Sequence, residues 1–460
     1  MGRRVVIVGA GLAGITAALD CAAAGASVTL LEVRRRLGGA AYSFQRDGLE
    51  LDNGQHVFLR CCVSYRGLLA RIGSDHLVSV QPRLEIPVLK PGASPVMLRR
   101  GRLPAPLQLA GALARYPYLT PLQRLGAARA ALGLMRLGRT RSGRREQHLD
   151  AITLGEWLAR HGQGPQALAA LWDLIALPTL NLPAAQASLA LGAFVFQVGL
   201  LDAADAGDIG FHDSTLAETI GRPAERALRR AGVEIRLGWR AERLARTAGG
   251  FEVQGSAEGE GEVLSADALI VAVPHARAAK LLEPLLGERA RRLALLGATP
   301  IVNLHVVYDR KVLEHPFAAG VGTPVQYLFD RSRAAGAPAG HQYLAVSLSG
   351  AEREMRMSVD ALREEYLPAI AALLPRAREA RVESFVATRE HAATFRAAPG
   401  IPALRPGPQT ALGGLALAGA WTDTGWPATL EGAVMSGHAA ADHALLSLGV
   451  SSEPAQAAAA

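Results

Sequence analysis

Cysteine is scarce in this chain of 460 residues, which has three: Cys21, Cys61 and Cys62. Two of them are adjacent in sequence, so they do not provide the framework of crossing disulfides that stabilises small secreted domains. No C-x-x-C pair and no Cys/His spacing typical of zinc sites occurs either. The sequence therefore predicts neither a disulfide scaffold nor a metal site, and a reducing cytosol is the expected setting.

Long apolar runs are also missing. Half of the residues are hydrophobic, yet no stretch of about eighteen consecutive apolar residues occurs, so we expect no transmembrane helix. The N-terminal stretch superficially resembles a signal peptide, with a basic start and an apolar middle. Its glycine spacing, described below, argues against a cleaved signal. Length and composition instead indicate an ordered protein of two or three domains.

Acidic residues are almost absent between residues 83 and 145, where thirteen arginines and lysines accompany a single acid, Glu85. Leucines and prolines interleave with the arginines, and the pattern from 104 to 201 predicts mostly helix. Arginines beside aliphatic helical residues favour a membrane surface, with arginine at headgroups and leucine at acyl chains. The alternatives are nucleic acid and a plain preference for arginine, since three of the 49 basic residues are lysine.

Three glycines follow the first apolar strand at the head of a helix. Gly9, Gly11 and Gly14 form G-x-G-x-x-G, in which the first allows a tight turn and the second lets backbone approach a pyrophosphate. The third lets helix and strand pack closely, and the helix N-terminus adds partial positive charge. Glu32 ends the next strand, where an acid accepts from ribose hydroxyls. These features predict a dinucleotide site; a glycine-rich unit without a ligand is the alternative.

A second glycine pair, Gly38 and Gly39, follows Glu32 closely. A cofactor held throughout the reaction cycle, such as FAD, must be bound along its ribityl chain as well as at its pyrophosphate, and this pair permits close backbone approach there. Arg34 and Arg36 are placed to face adenine and phosphate. A plain turn for the glycines and a solvated charge run for the arginines are the alternatives.

A polar turn interrupts apolar flanks in the stretch LDNGQHVF, which contains Asn53, Gly54 and His56. Histidine changes protonation near neutral pH, so His56 is a candidate proton donor beside a bound flavin. A histidine that only hydrogen-bonds the loop is the alternative. His212 and Asp213 have the pattern of a helix N-cap and its neighbour rather than that of catalytic residues.

The motifs together resemble one known group of proteins. VVIVGAGLAG, Glu32 with the glycine pair, the DNGQH turn and LAGAWTDTGWPATLEGAVMSG near the C-terminus are similar to motifs of the FAD-dependent amine oxidase/phytoene desaturase superfamily. The stretches ALPTLNLPAAQASLALGAFVF and PIVNLHVVYDR resemble its hydroxysqualene dehydroxylases, also called squalene-associated FAD-dependent desaturases. The resemblance runs from the N-terminus to about residue 445 and implies FAD as the cofactor.

The resemblance also implies an α/β fold. It consists of a discontinuous Rossmann-like FAD-binding domain (GR2-type), a mixed-sheet substrate domain and a mostly helical, membrane-facing insertion. In chain order, we expect a first FAD-binding segment at 1–82, the helical insertion at 83–204, a second FAD-binding segment at 205–290, the substrate-domain sheet and helix at 291–400, a third FAD-binding segment at 401–448 and a disordered tail at 449–460.

The site residues that the resemblance implies fall into three groups. The implied cofactor contacts are Gly9, Gly11, Leu12, Ala13, Gly14, Glu32, Val33, Arg34, Arg36, Gly38, Gly39, Ala40, Asn53, Gly54, Ala241, Gly419, Ala420, Trp421, Thr429 and Leu430. The expected liners of a substrate channel are Phe194, Phe196, Leu200 and Trp426. His56, and after it Asp423, are the candidate proton donors. Many relatives have arginine where this chain has Ala40 and aspartate where it has Ala420.

The activity implied by the resemblance is the reductive loss of the allylic hydroxyl of hydroxysqualene, giving squalene, with hydride from reduced FAD. An oxidative carotenoid or phytoene-type desaturase is the main alternative. An amine oxidase fits less well because aromatic residues make up 5% of the chain, and a non-catalytic flavin or lipid carrier is a different class. We expect a cytoplasmic protein bound peripherally to the inner face of the cell membrane through 83–145, without nucleic acid and with an unknown electron donor.

Overall fold

A parallel sheet forms the first layer of the protein. The computed structural model describes residues 3–137 and 149–450. Short apolar segments such as RVVIV and ALIV build the sheet, and they are buried on both faces, as parallel strands usually are. Its five strands, in spatial order, are Glu234–Leu237, Ser27–Glu32, Arg4–Val8, Ala268–Val271 and Leu415–Leu417.

Helices cover one face of the parallel sheet. The first and last of them, Leu12–Ala23 and Leu430–Ser447, pack closely, since a Cβ on Gly437 would lie 2.4 Å from the carbonyl oxygen of Ala13. The other two helices on this face are Val63–Ile72 and Arg222–Arg230. Segments from both ends of the sequence therefore form one compact layer.

The opposite face of the parallel sheet carries a three-stranded antiparallel sheet and a helix. Phe251 and Leu244 of this small sheet pack with Val6 and Leu269 of the parallel sheet. The strands are Trp239–Thr247, Gly250–Ala257 and Glu260–Ala266, and the helix is His275–Leu286.

A seven-stranded mixed sheet forms the second half of the molecule. Its strand Thr299–Tyr308 is buried along nearly its whole length, and the helix Val359–Leu373 packs on one face of the sheet. In spatial order the strands are Val382–Thr394, Thr299–Tyr308, Gln342–Ser349, Tyr327–Asp330, Phe317–Gly320, Glu85–Leu89 and Val96–Arg99. Two of these strands come from the segment expected to be a helical insertion, so the beginning of residues 83–204 belongs to the sheet.

The rest of that segment is helical, as its pattern predicts. Capping boxes at Thr120 and Thr153 begin two of its helices. The helices, including single π turns, are Ala110–Arg115, Pro121–Arg136, Leu154–Ala159, Pro165–Ala167, Leu168–Trp172, Asp173–Leu180, Leu189–Phe196 and Gln197–Leu201.

Shorter elements connect these layers. A hairpin pairs Ser43–Arg46 with Leu49–Asp52, and a small sheet has the order Phe58–Leu59, Ile209–His212, Val78–Val80. The remaining single turns and short helices are Asp75–Leu77, Leu107–Leu109, Ala217–Gly221, Glu288–Arg291, Arg292–Leu296, Ser332–Ala335, Glu354–Arg356, Pro375–Arg378 and Pro402–Leu404.

Some expectations fall outside what the structure describes. The end of the basic segment, from residue 138 to 145, and the tail from residue 451 onward lie outside the described residues. Among the described helices, none has both the length and the apolar character needed to span a bilayer. The domain boundaries stay a prediction.

Candidate functional site

An elongated cavity of about 1030 Å³ lies between the parallel sheet and the seven-stranded sheet. Its walls come from distant regions of the sequence: both glycine turns, the polar turn at residues 53–56, the helices at 174–200, the seven-stranded sheet and the segment 419–433. One end is therefore lined mainly by backbone and arginines, and the other mainly by apolar side chains.

Two positions of the first glycine turn, Gly9 and Gly14, have room only for glycine. Gly9 has φ of +107°, and a Cβ there would lie 2.5 Å from the carbonyl oxygen of Ala272. A Cβ on Gly14 would lie 1.9 Å from the carbonyl oxygen of Gly9. Gly14 thus lets the helix pack on the turn, which is the role that the sequence pattern assigns to the third glycine. It is not among the residues that line the cavity.

The second glycine pair packs directly on the first turn. Gly38 donates its N–H to the carbonyl oxygen of Ala10 at 2.9 Å, and Gly38 forms a parallel bridge with Gly11. A Cβ on Gly39, whose φ is +61°, would lie 2.7 Å from the Cα of Gly11. The two glycine turns therefore form a single backbone cradle at one end of the cavity.

This cradle favours an anion. The helix Leu12–Ala23 begins at Gly11 with no side-chain cap and no acidic residue in its first turn, so its first N–H groups face the cavity with the positive end of the helix dipole. Arg34 and Arg36 line the same region. Arg36 is held over the ring of Tyr42 at 3.6 Å, and burial lowers its pKa.

Glu32 is buried where the two turns meet. One carboxylate oxygen accepts the N–H of Ala10 at 2.8 Å and the other accepts the N–H of Arg34 at 2.8 Å. Each oxygen has a second lone pair, so Glu32 can hold both turns and still accept from a hydroxyl in the cavity. Its side chain is among those that line the cavity.

The C-terminal segment forms the wall facing the cradle. Gly419 has φ of +141°, and a Cβ there would lie 2.3 Å from Nε1 of Trp421, which donates to the carbonyl oxygen of Val273 at 3.0 Å. Thr429 caps the last helix by accepting the N–H of Gly432 at 3.2 Å. This confirms the predicted helix start, and the helix points its N-terminus toward the cavity.

Arg405 supports this wall from behind, and the sequence patterns did not indicate it. Its buried guanidinium donates to the carbonyl oxygens of Ala420, Trp421 and Thr422 and lies 4.8 Å from the ring of Phe395. Burial lowers its pKa to about 10. The loop at Ala420, where many relatives have an acid, is thus fixed through its backbone.

The polar turn is held by a dense set of hydrogen bonds around Asn53. Its side-chain Nδ2 donates to the carbonyl oxygen of Ala40 at 2.9 Å and to Glu390 at 2.9 Å. Its own carbonyl oxygen accepts from Asn303 Nδ2 at 3.0 Å and from the hydroxyl of Thr388 at 2.9 Å. Asn53 therefore joins the glycine cradle to the seven-stranded sheet.

A buried ion pair fixes the start of the same turn. Asp52 lies 3.0 Å from a guanidinium nitrogen of Arg331, and their side chains are 4% and 12% exposed. Asp52 also accepts from the hydroxyl of Ser43 and the N–H of Leu216. The pair ties the hairpin before the turn to the edge of the strand Tyr327–Asp330.

His56 lines the cavity, as expected for a residue near a bound flavin. Protein surrounds its ring although some of its surface faces the cavity, and this burial lowers its pKa to about 4. His56 is therefore neutral at pH 7. Its carbonyl oxygen accepts from His212 Nδ1 at 2.8 Å, so His212 Nε2 accepts from the hydroxyl of Tyr65 at 2.7 Å. His212 is a buried structural residue.

Apolar side chains line the other end of the cavity. Phe194 and Trp426 meet edge to face with their ring centroids 5.2 Å apart, and both line the cavity together with Leu200. Phe196 does not. It is on the opposite side of its helix, 5% exposed, and packs against Trp172, because residues two apart on a helix point in different directions.

Asp423 lies away from the cavity. Its side chain is exposed and accepts the N–H of Gly425 at 3.1 Å within the turn. Gly14 and Phe196 do not line the cavity either, whereas the remaining predicted residues do: Gly9, Gly11, Leu12, Ala13, Glu32, Val33, Arg34, Arg36, Gly38, Gly39, Ala40, Asn53, Gly54, His56, Ala241, Phe194, Leu200, Gly419, Ala420, Trp421, Trp426, Thr429 and Leu430. Their contacts with a cofactor or substrate stay a prediction.

The sequence motifs do not indicate several residues that line the cavity. Asn303 and Glu390 lie on neighbouring strands of the seven-stranded sheet. Arg277 donates to the carbonyl oxygen of Ala241 at 2.6 Å. Asn303 stands at a polar position within an otherwise apolar strand, PIVNLHVV, and such a position is the signal that could have pointed to it.

Known proteins match this architecture. The family model of flavin-containing amine oxidoreductases matches residues 12–445. The chain belongs to this family. A hydroxysqualene dehydroxylase from Sinorhizobium fredii is 31% identical over 97% of this chain and 99% of its own length. A zeta-carotene desaturase from a Synechocystis species is 24% identical over 95% of this chain and 96% of its own length.

A solved structure shows the same fold. A double mutant of putrescine oxidase, from a redesign of its cofactor binding, superposes with a TM-score of 0.72 at 17% identity, covering 97% of this chain and 99% of that one. The protein is an FAD-dependent oxidoreductase. Its residues fit this cofactor: the glycine cradle, uncapped helix N-terminus and arginines suit a pyrophosphate, and Glu32 suits a ribose.

Proposed function

We propose that this flavoenzyme reduces hydroxysqualene to squalene. The carbon–oxygen bond of the allylic alcohol breaks, a carbon–hydrogen bond forms at that carbon, and the protonated hydroxyl leaves as water. FAD supplies hydride chemistry when it is bound and reduced. The similarity to the Sinorhizobium fredii hydroxysqualene dehydroxylase over nearly its full length supports this choice.

One observation carries the proposal: the cradle opens directly into an apolar compartment within the same cavity. Its liners include Leu84, Ile86, Leu174, Ile175, Phe194, Val195, Val198, Leu200, Phe317 and Phe329. Such walls suit a long isoprenoid chain and exclude water, which protects an allylic cation from capture. We assign the proton donation to the leaving hydroxyl to His56, one of the titratable residues that line the cavity.

An oxidative desaturase is the second candidate, favoured by the similarity to zeta-carotene desaturase. An anaerobic experiment separates the two. Dithionite-reduced enzyme is mixed with hydroxysqualene, and squalene and flavin reoxidation are followed. Formation of both supports dehydroxylation. Absence of both, together with oxidation of phytoene by the oxidised enzyme, assigns a desaturase instead.

We also propose that the protein binds the surface of an anionic membrane, where its substrate resides. Seven of the fourteen large hydrophobic side chains that are exposed among the described residues lie between residues 97 and 135. Three of them, Leu122, Leu125 and Leu132, form an apolar stripe on the helix Pro121–Arg136. Arginines flank the stripe, and basic residues beside apolar ones are typical of interfacial helices.

The stripe is close to the cavity. The opposite face of the same helix packs on the helix Leu189–Phe196 and its continuation, where Gln197 Nε2 donates to the carbonyl oxygen of Leu134 at 2.6 Å. Phe194 and Leu200 of that neighbouring segment line the apolar compartment. Sedimentation with vesicles of anionic and of neutral lipid tests the proposal, which requires binding to the anionic vesicles at physiological salt.

A further inference from the structure

A chain of buried hydrogen bonds holds the carbonyl oxygen of Asn53 at the start of the polar turn. The hydroxyl of Thr388 donates to this oxygen at 2.9 Å, because a carbonyl oxygen can only accept. His305 Nε2 lies 3.0 Å from the same hydroxyl and therefore donates to it. Burial lowers the pKa of His305 to about 4, so the ring is neutral at pH 7 and its Nδ1 has no hydrogen. This Nδ1 accepts from the hydroxyl of Tyr343 at 2.7 Å.

A second buried histidine holds the carbonyl oxygen of His56 at the other end of the turn. His212 Nδ1 donates to this oxygen at 2.8 Å. Burial lowers the pKa of His212 to about 3, so this ring is also neutral at pH 7 and its Nε2 accepts from the hydroxyl of Tyr65 at 2.7 Å. Burial raises the pKa of Tyr65 and of Tyr343, so both hydroxyls keep the hydrogens that these bonds use. The turn thus has a tyrosine–histidine pair at each end.

These bonds fix the direction of two backbone N–H groups. Both peptide bonds are trans, and in a trans peptide the N–H points opposite to the preceding carbonyl. The carbonyl of Asn53 points to the seven-stranded sheet, where it accepts from two side chains, so the N–H of Gly54 points away from that sheet. The carbonyl of His56 points to His212, so the N–H of Val57 points away from this histidine. Neither N–H has a hydrogen-bond acceptor among the described residues.

Both N–H groups belong to residues that line the cavity. The seven-stranded sheet is one of the two walls of the cavity, so the direction away from it leads into the cavity. Val57 is 40% exposed, and a bound molecule can therefore reach it. Gly54 follows Asn53, whose side chain bonds to the carbonyl oxygen of Ala40 beside the glycine cradle. The turn thus lies just beyond the cradle, where the ring of an FAD molecule held there by its pyrophosphate has to extend.

We propose that the two tyrosine–histidine pairs are positioning residues, which direct the N–H groups of Gly54 and Val57 at acceptor atoms of the flavin ring. None of the four side chains of these pairs lines the cavity, so they reach the ring only through the turn. Reduction adds negative charge to a flavin ring, so N–H donors bind the reduced form more tightly than the oxidised form. Both candidate reactions use FAD, and the proposal therefore does not depend on the choice between them.

Two sets of variants test the two ends of the turn in the holoenzyme without substrate. Thr388→Val removes the hydroxyl that holds Asn53, whereas Thr388→Ser keeps it. His212→Leu removes the donor to His56, whereas His212→Asn keeps an amide N–H near the position of Nδ1. Thr388→Val and His212→Leu should each weaken the binding of reduced FAD about three- to tenfold more than that of oxidised FAD. Anaerobic titration with a redox dye should then show a midpoint potential lower by about 14–30 mV for this two-electron couple, and the serine and asparagine variants should keep the wild-type potential.

Thr179→Val is the matched control. This threonine lines the cavity, but its hydroxyl donates to the carbonyl oxygen of Ile175 at 2.6 Å within its own helix, so the variant should keep the wild-type potential. The visible spectrum and melting temperature of each variant identify any that fail to fold or to retain FAD. Each end of the turn is tested by its own set, so one set decides the matter if a variant of the other does not fold.

A wild-type potential in Thr388→Val or His212→Leu overturns the proposal for that end of the turn, even if the variant melts at a lower temperature, because a purely structural role changes only the melting temperature. An equal drop in potential in Thr388→Ser or His212→Asn also overturns it, since the hydrogen bond then has no part in the effect. Wild-type potentials combined with weaker binding of hydroxysqualene assign the N–H groups to the substrate and overturn the proposal. The expected shifts in an enzyme that forms no squalene support the proposal and refute the reaction.

Discussion

The end of the cavity that the two glycine turns form, called here the nucleotide end, is lined mainly by backbone. The opposite end, called the far end, is lined mainly by side chains. At the nucleotide end, Gly11 and Gly39 approach so closely that a Cβ on Gly39 would lie 2.7 Å from the Cα of Gly11. At the far end, Phe194 and Trp426 pack edge to face, and the neighbouring residues that line the cavity also have apolar side chains. One end therefore depends on the absence of side chains and the other on their shape.

This difference explains how one fold serves many substrates. The backbone cradle tolerates little change, because a methyl added at Gly9, Gly14, Gly38 or Gly39 meets main-chain atoms that cannot move alone. A side-chain wall can be repacked with little loss when its total volume is kept. We therefore expect the substrate to be selected at the far end of the cavity and the cofactor at the near end.

Gly14→Ala should have the largest effect on the nucleotide end. Its Cβ would lie 1.9 Å from the carbonyl oxygen of Gly9, so the first helix and strand must separate. We expect a loss of more than about 3 kcal/mol in the free energy of unfolding and loss of bound FAD, measured by urea denaturation and by flavin absorbance.

Gly67→Ala is the control for this substitution. A Cβ there meets nothing within 4 Å, and alanine in a helix is favoured over glycine by up to about 1 kcal/mol. Wild-type FAD content in Gly14→Ala would contradict the account of the cradle.

Arg331→Met tests the buried ion pair that ties the hairpin before the polar turn to the seven-stranded sheet. It leaves Asp52 buried without its partner, which typically costs about 3–5 kcal/mol, and burial already raises the pKa of Asp52. Arg310→Met removes a solvent-screened surface pair with Asp309 and should lower the free energy of unfolding far less than Arg331→Met does. Equal costs for the two variants, in urea denaturation at pH 7, would show that the buried pair does not hold the turn.

If His56 is the proton donor that we propose, it should give the reaction a pH dependence. Its pKa of about 4 means that the protonated fraction grows about tenfold for each pH unit lowered between 7 and 5. Single-turnover rates of the reduced enzyme with hydroxysqualene should rise accordingly, and His56→Asn should flatten the profile. An unchanged profile in that variant would assign the proton to another group.

Leu122→Gln and Leu125→Gln should have the smallest effect, and only on membrane binding. Their side chains are 81% and 60% exposed, so each variant should keep its stability and lose about three- to tenfold in affinity for anionic vesicles, measured by sedimentation. Leu446→Gln, at 64% exposure on the last helix, is the matched control. Equal losses in all three variants would remove the stripe as the binding surface.

The nucleotide end was the more predictable of the two. Gly9, Gly14 and the pair Gly38 and Gly39 are recognisable because local backbone geometry admits no other residue there. The start of the last helix at Thr429 was predictable for a similar reason, since capping chemistry is local. The φ angles of Gly9, Gly38 and Gly39 and the cap at Thr429 are local features, although the atoms that a Cβ on Gly9 or Gly39 would meet come from distant parts of the sequence.

The far end was less predictable because its residues meet only in three dimensions. Phe194 and Phe196 look equivalent in sequence, yet one lines the cavity and the other packs against Trp172. Asp423 lies within the segment 419–433, which lines the cavity, but its side chain is exposed. The side that a residue faces depends on which element packs against it, and that is a tertiary property.

The sequence by itself determined the glycine turns, the acid that joins them and the family to which the chain belongs. Only the tertiary structure decided that Asn303 lies under the turn at Gly54 and that Arg405 holds the loop at Ala420 through its carbonyl oxygens. The physical reason is the distance along the sequence over which each feature is determined. Backbone conformation is set by a few adjacent residues, whereas hydrogen bonds between distant residues form only once the strands and helices that carry them have packed together.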